Sequence, residues 1–151
     1  MSESFMPDST DGYTWLIRGV RGRAINEWLY QSGLSPSLAA EKLTEQAINE
    51  GLVQRRSPPK GATLQDWINK NSAPMWACLS AFKLCLNSGW RPTDASGWAM
   101  YGYFFIRVNG DCARLTDYSN RIEDDLDKLC ALGWICAALE ENKKKTRIIS
   151  V

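Results

Sequence analysis

Histidine is absent from the 151 residues of this sequence. Without an imidazole, the chain has no histidine general base, no Ser-His-Asp or Cys-His nucleophile system and no histidine-ligated metal site. Any catalysis would have to use carboxylates, cysteine, tyrosine, lysine or arginine. Glycine loops of the GxGxxG or GxxxxGK type are missing as well, so the sequence predicts no phosphate-binding loop of either class.

A strong net charge and long apolar runs are also lacking. The chain has 18 Lys and Arg residues and 17 Asp and Glu residues, which leaves a net charge of +1. Because nucleic-acid-binding domains are usually strongly basic, any such activity must come from local patches. No apolar run is long enough to span a membrane, and the polar, acidic start MSESFMPDSTDG does not resemble a signal peptide. We therefore expect a cytoplasmic protein with no membrane partner and a flexible tail over residues 1–12.

The five cysteines form no CxxC pair. Their odd number and their apolar surroundings indicate buried, reduced thiols rather than a disulfide framework or a zinc site. We therefore expect neither a metal nor a cofactor. The cysteines are Cys78, Cys85, Cys112, Cys130 and Cys136.

The remaining composition is that of a globular chain. Apolar residues make up 44% of the sequence and charged residues 23%, and the seven tryptophans can bury a large area. This length suits one compact domain or two very small domains that share a core. We expect a helical half over 13–89, a linker loop over 90–97 and a second half over 98–151.

The helical half contains two helices with clear boundaries. Ser35 is a typical N-cap, Pro36 suits the first helical position and Gly51 suits a left-handed C-cap, so a helix is predicted between them. The apolar side of this helix is expected to be formed by Leu38, Leu43, Ala47 and Ile48. A second helix is predicted from Pro74 to Gly89, and because it is apolar nearly all round it should be buried.

The second half of the chain predicts both helix and strand. The segment AMYGYFFIRV is compatible with a strand that enters an Asn109-Gly110 hairpin or with a helix that ends there, and its neighbours favour the helix. A further helix is expected from its N-cap Ser119 to Leu132, with Gly133 ending it. The segments WICAAL and TRIISV, joined by EENKKK, predict a terminal hairpin. The predicted fold class is therefore α+β and mainly helical.

The stretch DCARLTDYSNRIEDDLDKLCALGWI, followed by this hairpin, resembles the winged helix-turn-helix family. Ala113 takes the place of the small residue in the first helix of the motif, Leu115 is its apolar partner, and Tyr118-Ser119 occupies the turn. The inward positions of the recognition helix are taken by Ile122, Leu126 and Leu129. Gly133-Trp134-Ile135 resembles the helix stop and the first wing strand of the family. The resemblance covers the last third of the chain and implies a winged helix there.

The first half of the chain repeats this pattern, with Gly51 in the place of Gly133. In that alignment Ala40, Thr44, Ala47 and Ile48 match Ile122, Leu126, Leu129 and Cys130. Leu52-Val53 matches the first wing strand, although Thr44 is polar where the family has an apolar residue. No clear second wing strand follows SPPKG. The resemblance implies a tandem or duplicated winged-helix arrangement, whereas a capped helix, a glycine stop and an apolar strand also occur together in other α+β proteins.

The winged-helix resemblance implies duplex DNA as the first partner, because this family places its recognition helix in the major groove and often its wing on the backbone. Asn120 and Arg121 would read bases, and Lys128 would meet a phosphate. Further phosphate contacts would come from Lys143, Lys144, Lys145, Arg147, Arg55 and Arg56. The lysine run is equally compatible with a solvated turn.

The acidic residues of the same helix favour a protein partner. Between Ser119 and Leu132 there are two basic and four acidic side chains, a sum of −2. Several carboxylates together repel the phosphate-lined groove, although acids at a helix start are also stabilised by the helix dipole. Asp124 and Asp127 would then dock a basic partner. This hypothesis makes the protein an adaptor or inhibitor built on a winged-helix fold.

A third hypothesis is enzymatic. The order Arg18, Ser80 and Glu140-Glu141 faintly resembles arginine-type ADP-ribosyltransferases, which hold NAD with Arg and Ser and use a Glu at the reacting ribose. The Ser-Thr-Ser strand of that family is missing, so this hypothesis ranks third. The sequence therefore predicts a non-catalytic DNA-binding protein in transcription or replication control, with a homodimer as one alternative assembly and the adaptor as the alternative function.

Overall fold

The computed structural model describes residues 10–54, 56–110 and 114–150, with side chains between Gly12 and Lys144 in those ranges. Over these ranges every regular element is an α-helix, and no strand is present. The helices are α1 (Thr10–Leu16), α2 (Val20–Ser32), α3 (Pro36–Asn49), α4 (Gly61–Lys70), α5 (Met75–Asn87), α6 (Ala95–Asn109), α7 (Leu115–Ser119) and α8 (Lys128–Ser150). The expected α+β class is therefore wrong, because the described chain is all-helical.

The helices form two compact units. The continuous unit runs from Gly19 to Trp90 and contains α2 to α5, whereas the split unit joins the chain before Gly19 to the chain after Trp90. Helix α1 thus belongs with α6, α7 and α8, although the expected helical half over 13–89 grouped it with α2. The expected linker over 90–97 overlaps α6, which begins at Ala95. Residues 1–9 of the expected tail lie outside the described residues, and Thr10 begins α1.

In the continuous unit, α2 and α3 each pack against both α4 and α5. Gly22 allows the close crossing of α2 and α4, because a Cβ at this position would lie 2.8 Å from the Ile68 carbonyl oxygen. The Gly22 backbone N–H also donates to Asn71 Oδ1 at 2.8 Å. Helix α5 contributes Ala77, Cys78, Ser80, Ala81, Phe82 and Cys85 to the core. Its other residues before Asn87 are half-buried, so the burial that its sequence predicts is only partly observed. Apolar burial of this extent is the main stabilising contribution to such a unit.

Helix α3 has the predicted boundaries. The Ser35 side chain accepts a hydrogen bond from the Leu38 N–H, and Pro36 occupies the first helical position. Gly51 has a left-handed φ of 73°, and the Leu52 N–H donates to the Ala47 carbonyl at 2.9 Å, which forms a Schellman C-cap. The predicted face is only half right, since Leu43 and Ala47 are buried while Leu38 and Ile48 are exposed. The expected strand at Leu52-Val53 does not form.

In the split unit, α8 packs mainly on α6, and α1 contacts both. The ambiguous AMYGYFFIRV segment is helical, and every residue from Trp98 to Ile106 is buried. Gly102 lets the two long helices approach, because a Cβ there would lie 2.7 Å from the Trp134 carbonyl oxygen. Trp134 and Ile135 are fully buried in this contact region of the unit. They pack as residues of a helix rather than of a wing strand.

The predicted winged helix is therefore wrong in its two defining parts. Residues 120–127, expected to be the first half of the recognition helix, are not helical, and α8 begins only at Lys128. Gly133 does not end that helix, since its cost of about 1 kcal/mol in a helix is small beside the burial of neighbouring apolar side chains. EENKKK, expected as a hairpin loop, is helical and consists mostly of good helix formers. The tandem arrangement is wrong as well, because no described residue of the first half forms a wing.

Candidate binding surfaces

The residues expected to read DNA lie in and beside the loop between α7 and α8. Asn120 is the C-cap of α7 and Lys128 is the first residue of α8, and both are exposed. The Arg121 guanidinium donates to the Asn109 carbonyl oxygen at 3.0 Å. Arg121 thus anchors the loop to the end of α6 instead of projecting from a recognition helix. The three residues share no helix face, and the expected base-reading arrangement does not form.

The carboxylates of the same loop hold it in place. Asp127 Oδ1 accepts from the Cys130 N–H at 3.0 Å, so Asp127 caps the start of α8. The Glu123 carboxylate accepts a hydrogen bond from the Tyr101 hydroxyl at 2.7 Å. Both carboxylate oxygens of Asp125 accept from Arg91 Nε at 3.0 Å. Burial, followed by the neighbouring Glu123 carboxylate, raises the pKa of the Tyr101 phenol. Asp124 is exposed. Three of the four acids thus have structural contacts that the sequence did not reveal.

The expected wing residues belong to α8. Lys143 and Lys144 are exposed, and Lys143 Nζ lies 3.7 Å from Glu140 Oε1 one turn earlier on the helix. Lys145 and Arg147 lie on the same helix, beyond the described side chains. An exposed pair at this spacing contributes only a few tenths of a kcal/mol. The lysine run is thus part of a helix end rather than of a hairpin loop.

A different group of side chains combines positive charge with aromatic surface in the continuous unit. The guanidinium carbon of Arg56 lies 5.0 Å from the ring centroid of Trp76, in cation–π contact. Trp67 meets Trp76 edge to face, with centroids 6.1 Å apart and planes at 86°. Both indoles are half-buried, so each keeps part of its surface accessible. Arg55, the other predicted basic residue of this segment, lies outside the described residues.

Two lysines extend this group along α4. Lys60 is the N-cap of the helix, Lys70 is its last residue, and both are exposed. Trp67 follows Lys60 by seven residues and precedes Lys70 by three, a spacing that places all three on one side of the helix. Lys60 and Lys70 are about 15 Å apart along the helix axis. Asp66 is exposed on the adjacent side of α4 and is the nearest acid in the sequence to Trp67.

We call Arg56, Lys60, Trp67, Lys70 and Trp76 the basic aromatic surface. Between Gly19 and Trp90 there are eight Lys and Arg residues and five Asp and Glu residues, so the continuous unit has a net charge of +3. Sequence reasoning selected Arg56 as a site residue but missed Trp67, Lys70 and Trp76. The Lys-Trp-Lys spacing on α4 was available in the sequence, whereas the contact of Arg56 with Trp76 required the fold.

Among the described residues the cysteines form no disulfide; Cys78, Cys85 and Cys130 are buried and Cys136 is half-buried. Burial raises the pKa of both Cys78 and Cys85 to about 12. Burial also raises the pKa of Cys130 and of the half-buried Cys136. These thiols are therefore protonated near neutral pH, the opposite of what a nucleophile needs. Cys112 lies outside the described residues, and no metal-binding group of His, Cys, Asp or Glu side chains occurs within them.

The residues of the enzymatic hypothesis lie in separate structural contexts. Ser80 is buried in α5, and its hydroxyl donates to the Trp76 carbonyl at 2.8 Å. Glu141 accepts from the Thr14 hydroxyl at 2.9 Å, which ties α1 to α8 within the split unit. The Arg18 guanidinium lies 4.4 Å from the Trp15 ring centroid. Each side chain therefore has a local structural contact.

Comparisons with protein-family models, with curated proteins and with solved structures each found no match for the chain. Among the described residues, no helix has both the length and the apolar character needed to cross a membrane.

Proposed function

We propose that this chain is a non-catalytic nucleic-acid-binding protein that uses the basic aromatic surface of its continuous unit. The observation that carries the proposal is the stacking of Arg56 on Trp76 beside Trp67. Cationic side chains next to accessible indoles supply the two interactions that bind a nucleic-acid strand: phosphate attraction and base stacking. We propose that this binding serves the control of transcription or replication.

Single-stranded nucleic acid suits this surface better than a duplex. An indole stacks on an unpaired base, whereas the bases of a duplex present only their edges in the grooves. Reading a duplex through the major groove needs an inserted helix or ribbon, and the residues expected to do so, Asn120 and Arg121, lie at a loop anchored to α6. Lys60 and Lys70 lie on either side of Trp67 along α4, so they can contact phosphates on both sides of a base that stacks on the Trp67 indole.

The test is fluorescence anisotropy with a labelled oligothymidylate of about 15 nucleotides, a length within the range that one small domain covers. A duplex of the same length and an abasic strand of the same length serve as comparison probes. We expect the single strand to bind most tightly and the abasic strand to bind at least about tenfold more weakly, because stacking contributes about 1–3 kcal/mol per base. If the abasic strand bound as tightly as the oligothymidylate, the surface would bind through phosphate attraction alone, without base stacking.

Charge variants locate the binding to this surface. Replacing Arg56, Lys60 and Lys70 together by alanine should weaken binding and reduce the slope of log affinity against log salt by about 2, since each phosphate contact on a single strand contributes about 0.7. The matched control replaces Arg121, Lys128 and Lys144, three basic residues of the split unit, by alanine. Equal losses in the two triple variants would refute the assignment to the continuous unit. No measurable binding of any probe at low salt would refute the proposed function itself.

Removal of a nearby repulsive charge gives an independent check. Asp66 is exposed on α4 beside this surface, where its carboxylate opposes phosphate binding. Asp66→Asn should therefore strengthen binding of the single strand. The same change at Asp124, which lies in the split unit, should leave the affinity unchanged.

A further inference from the structure

Serine is followed directly by proline at two places in the sequence, and the two pairs have different structures. Ser35-Pro36 begins α3, where the Ser35 side chain accepts a hydrogen bond from the Leu38 N–H at 3.4 Å. Pro36 and the residues after it are helical. Ser57-Pro58 lies between α3 and α4, outside any regular element, and both residues are exposed. Of the two pairs, the second therefore presents its serine on an accessible, non-helical backbone.

The backbone from Ser57 to Lys60 is extended. The rings of Pro58 and Pro59 fix their φ at about −65°, and a residue that precedes a proline is held in the β or polyproline II region. Lys60 has a φ of −69° and a ψ of 154°, which are also polyproline II values. Because this helix has about three residues per turn, the Ser57 and Lys60 side chains lie on one side of the segment. Both are exposed, whereas Pro59 is half-buried.

This segment has the features of a substrate for a proline-directed protein kinase. Such an enzyme binds the chain around the acceptor serine in an extended conformation. Because proline has no backbone N–H, enclosing Pro58 in the enzyme leaves no donor without a partner. Lys60, three residues after Ser57, supplies a cation for an acidic group of the enzyme. At the other pair Leu38 stands in the place of the lysine, and α3 has already begun.

A phosphate on Ser57 would lie beside the basic aromatic surface. Arg56 is the preceding residue, and its guanidinium carbon lies 5.0 Å from the Trp76 ring centroid. Lys60 follows Ser57 by about 9 Å along the polyproline II axis, which is close to the Debye length at physiological ionic strength. A phosphoserine carries a charge of about −1.5 to −2 at pH 7. It would therefore offset most of the positive charge of Arg56 and Lys60 and repel the phosphates of a bound strand.

We propose that Ser57 is a phosphorylation site for a proline-directed protein kinase, and that its phosphorylation releases single-stranded nucleic acid from the basic aromatic surface. The kinase transfers the γ-phosphoryl group of magnesium ATP. A bond forms between Ser57 Oγ and the γ-phosphorus, the bond from that phosphorus to the bridging oxygen of ADP breaks, and the hydroxyl proton passes to a base of the kinase. Release of the strand rests on the proposed nucleic-acid binding, whereas modification of Ser57 does not depend on it.

Incubation of the full chain with a purified cyclin-dependent kinase and magnesium ATP tests the modification. Mass spectrometry of the digested product should place phosphate on Ser57, and Ser57→Ala should remove most of the incorporation. Ser35 in the same digest is the internal control and should carry far less phosphate, because its hydroxyl caps α3. No phosphate on Ser57, or as much on Ser35 as on Ser57, would overturn the proposed site.

The phosphorylated chain is then titrated against the labelled oligothymidylate beside the unmodified chain. Phosphorylation should weaken binding at least about tenfold at low salt and reduce the slope of log affinity against log salt by about 1.4, the equivalent of two phosphate contacts. Removal of the phosphate by a phosphatase should restore binding. Equal binding of the two forms would refute release of the strand. If neither form bound, the proposed function would fail, while phosphate on Ser57 would still support the modification site.

Two substitutions separate a local effect from a change in total charge. Ser57→Asp and Thr116→Asp each add one negative charge at an exposed residue, the first beside the basic aromatic surface and the second in the split unit. Ser57→Asp should weaken binding of the strand and reduce the salt slope by about 0.7. Thr116→Asp should leave both nearly unchanged. Equal losses in the two variants would show that total charge, rather than the position of Ser57, controls the binding.

Discussion

Gly102 of α6 lies directly against the backbone of Trp134 of α8. A Cβ atom on residue 102 would lie 2.7 Å from the Trp134 carbonyl oxygen and 3.0 Å from its carbonyl carbon. Both obstructing atoms belong to the main chain of a helix, so neither can rotate away as a side chain would. This crossing brings together the two long helices that hold most of the split-unit core.

Gly102→Ala should therefore destabilise the protein, even though alanine is the better helix former by about 1 kcal/mol. Separating two packed helices to admit a methyl group costs about 1–3 kcal/mol beyond that gain. Urea unfolding followed by circular dichroism measures the change in the free energy of unfolding. Gly97→Ala is the control on the same helix, where the nearest atom to the added methyl is a side-chain oxygen of Asp94 at 3.2 Å. A loss at Gly97 as large as at Gly102 would contradict the close crossing.

Asp127 has a capping role that can be separated from partner binding. Its carboxylate accepts the Cys130 N–H at the start of α8, so Asp127→Ala should lower the free energy of unfolding by about 0.5–2 kcal/mol. Asp127→Asn should keep most of the stability, because asparagine is also a good cap. The control is Asp124→Ala, an exposed acid of the same loop, with an expected change within about 0.5 kcal/mol. If Asp127→Asn were as damaging as Asp127→Ala, a cap would not explain the residue.

The buried thiols predict loss of stability in alkali. The pKa of Cys78 and of Cys85 is raised from 9.0 to about 12, so the folded state binds these protons more tightly than the unfolded state. Their contribution is fully present below about pH 9 and is lost as the pH rises toward 12, at no more than about 1.4 kcal/mol per pH unit for each thiol.

Urea midpoints at several pH values between 8 and 11 measure this effect. The double variant Cys78→Ala with Cys85→Ala should be less stable at pH 8 but should lose stability more slowly as the pH rises. Burial also raises the pKa of the Tyr13 and Tyr101 phenols, so part of the alkaline loss should remain in this variant. Parallel curves for the wild type and the double variant would contradict the assignment to the thiols.

The boundaries of α3 and the placement of α8 show what the sequence could predict. The start and end of α3 depend on Ser35, Pro36 and Gly51, whose effects are local, and the prediction was confirmed. Gly133 carries the same local signal, but burial of Trp134 and Ile135 in the split unit outweighs it. The apolar spacing that suggested a recognition helix included Leu129, which is 76% exposed. Local signals therefore fail where packing against distant residues decides the conformation.

The candidate site residues show the same limit: their charge can be predicted from the sequence, but their contacts depend on the fold. Arg56 was selected from its charge alone, but its contact with Trp76 joins a residue before α4 to a residue of α5 and is set by the fold. The acids of the loop between α7 and α8 looked like an exposed surface in the sequence. Their partners Arg91 and Tyr101 precede them by 34 and 22 residues, and no local pattern links them. A sequence thus shows which residues are charged, but it does not show which of these charges are paired in the folded protein.

The hydrogen bond from Tyr101 to Glu123 predicts a change in loop mobility that exceeds its effect on global stability. Tyr101→Phe removes a 2.7 Å bond without changing the packing of a buried ring, so the free energy of unfolding should fall by only about 1 kcal/mol. The loop should lose one of its three anchors and keep the other two, which are the contacts with Arg91 and Arg121. Hydrogen exchange of residues 120–127 should therefore accelerate more than exchange in the middle of α6. Uniform acceleration across both segments would mean that the bond supports the whole unit, and unchanged loop exchange would mean that the other two contacts suffice to hold it.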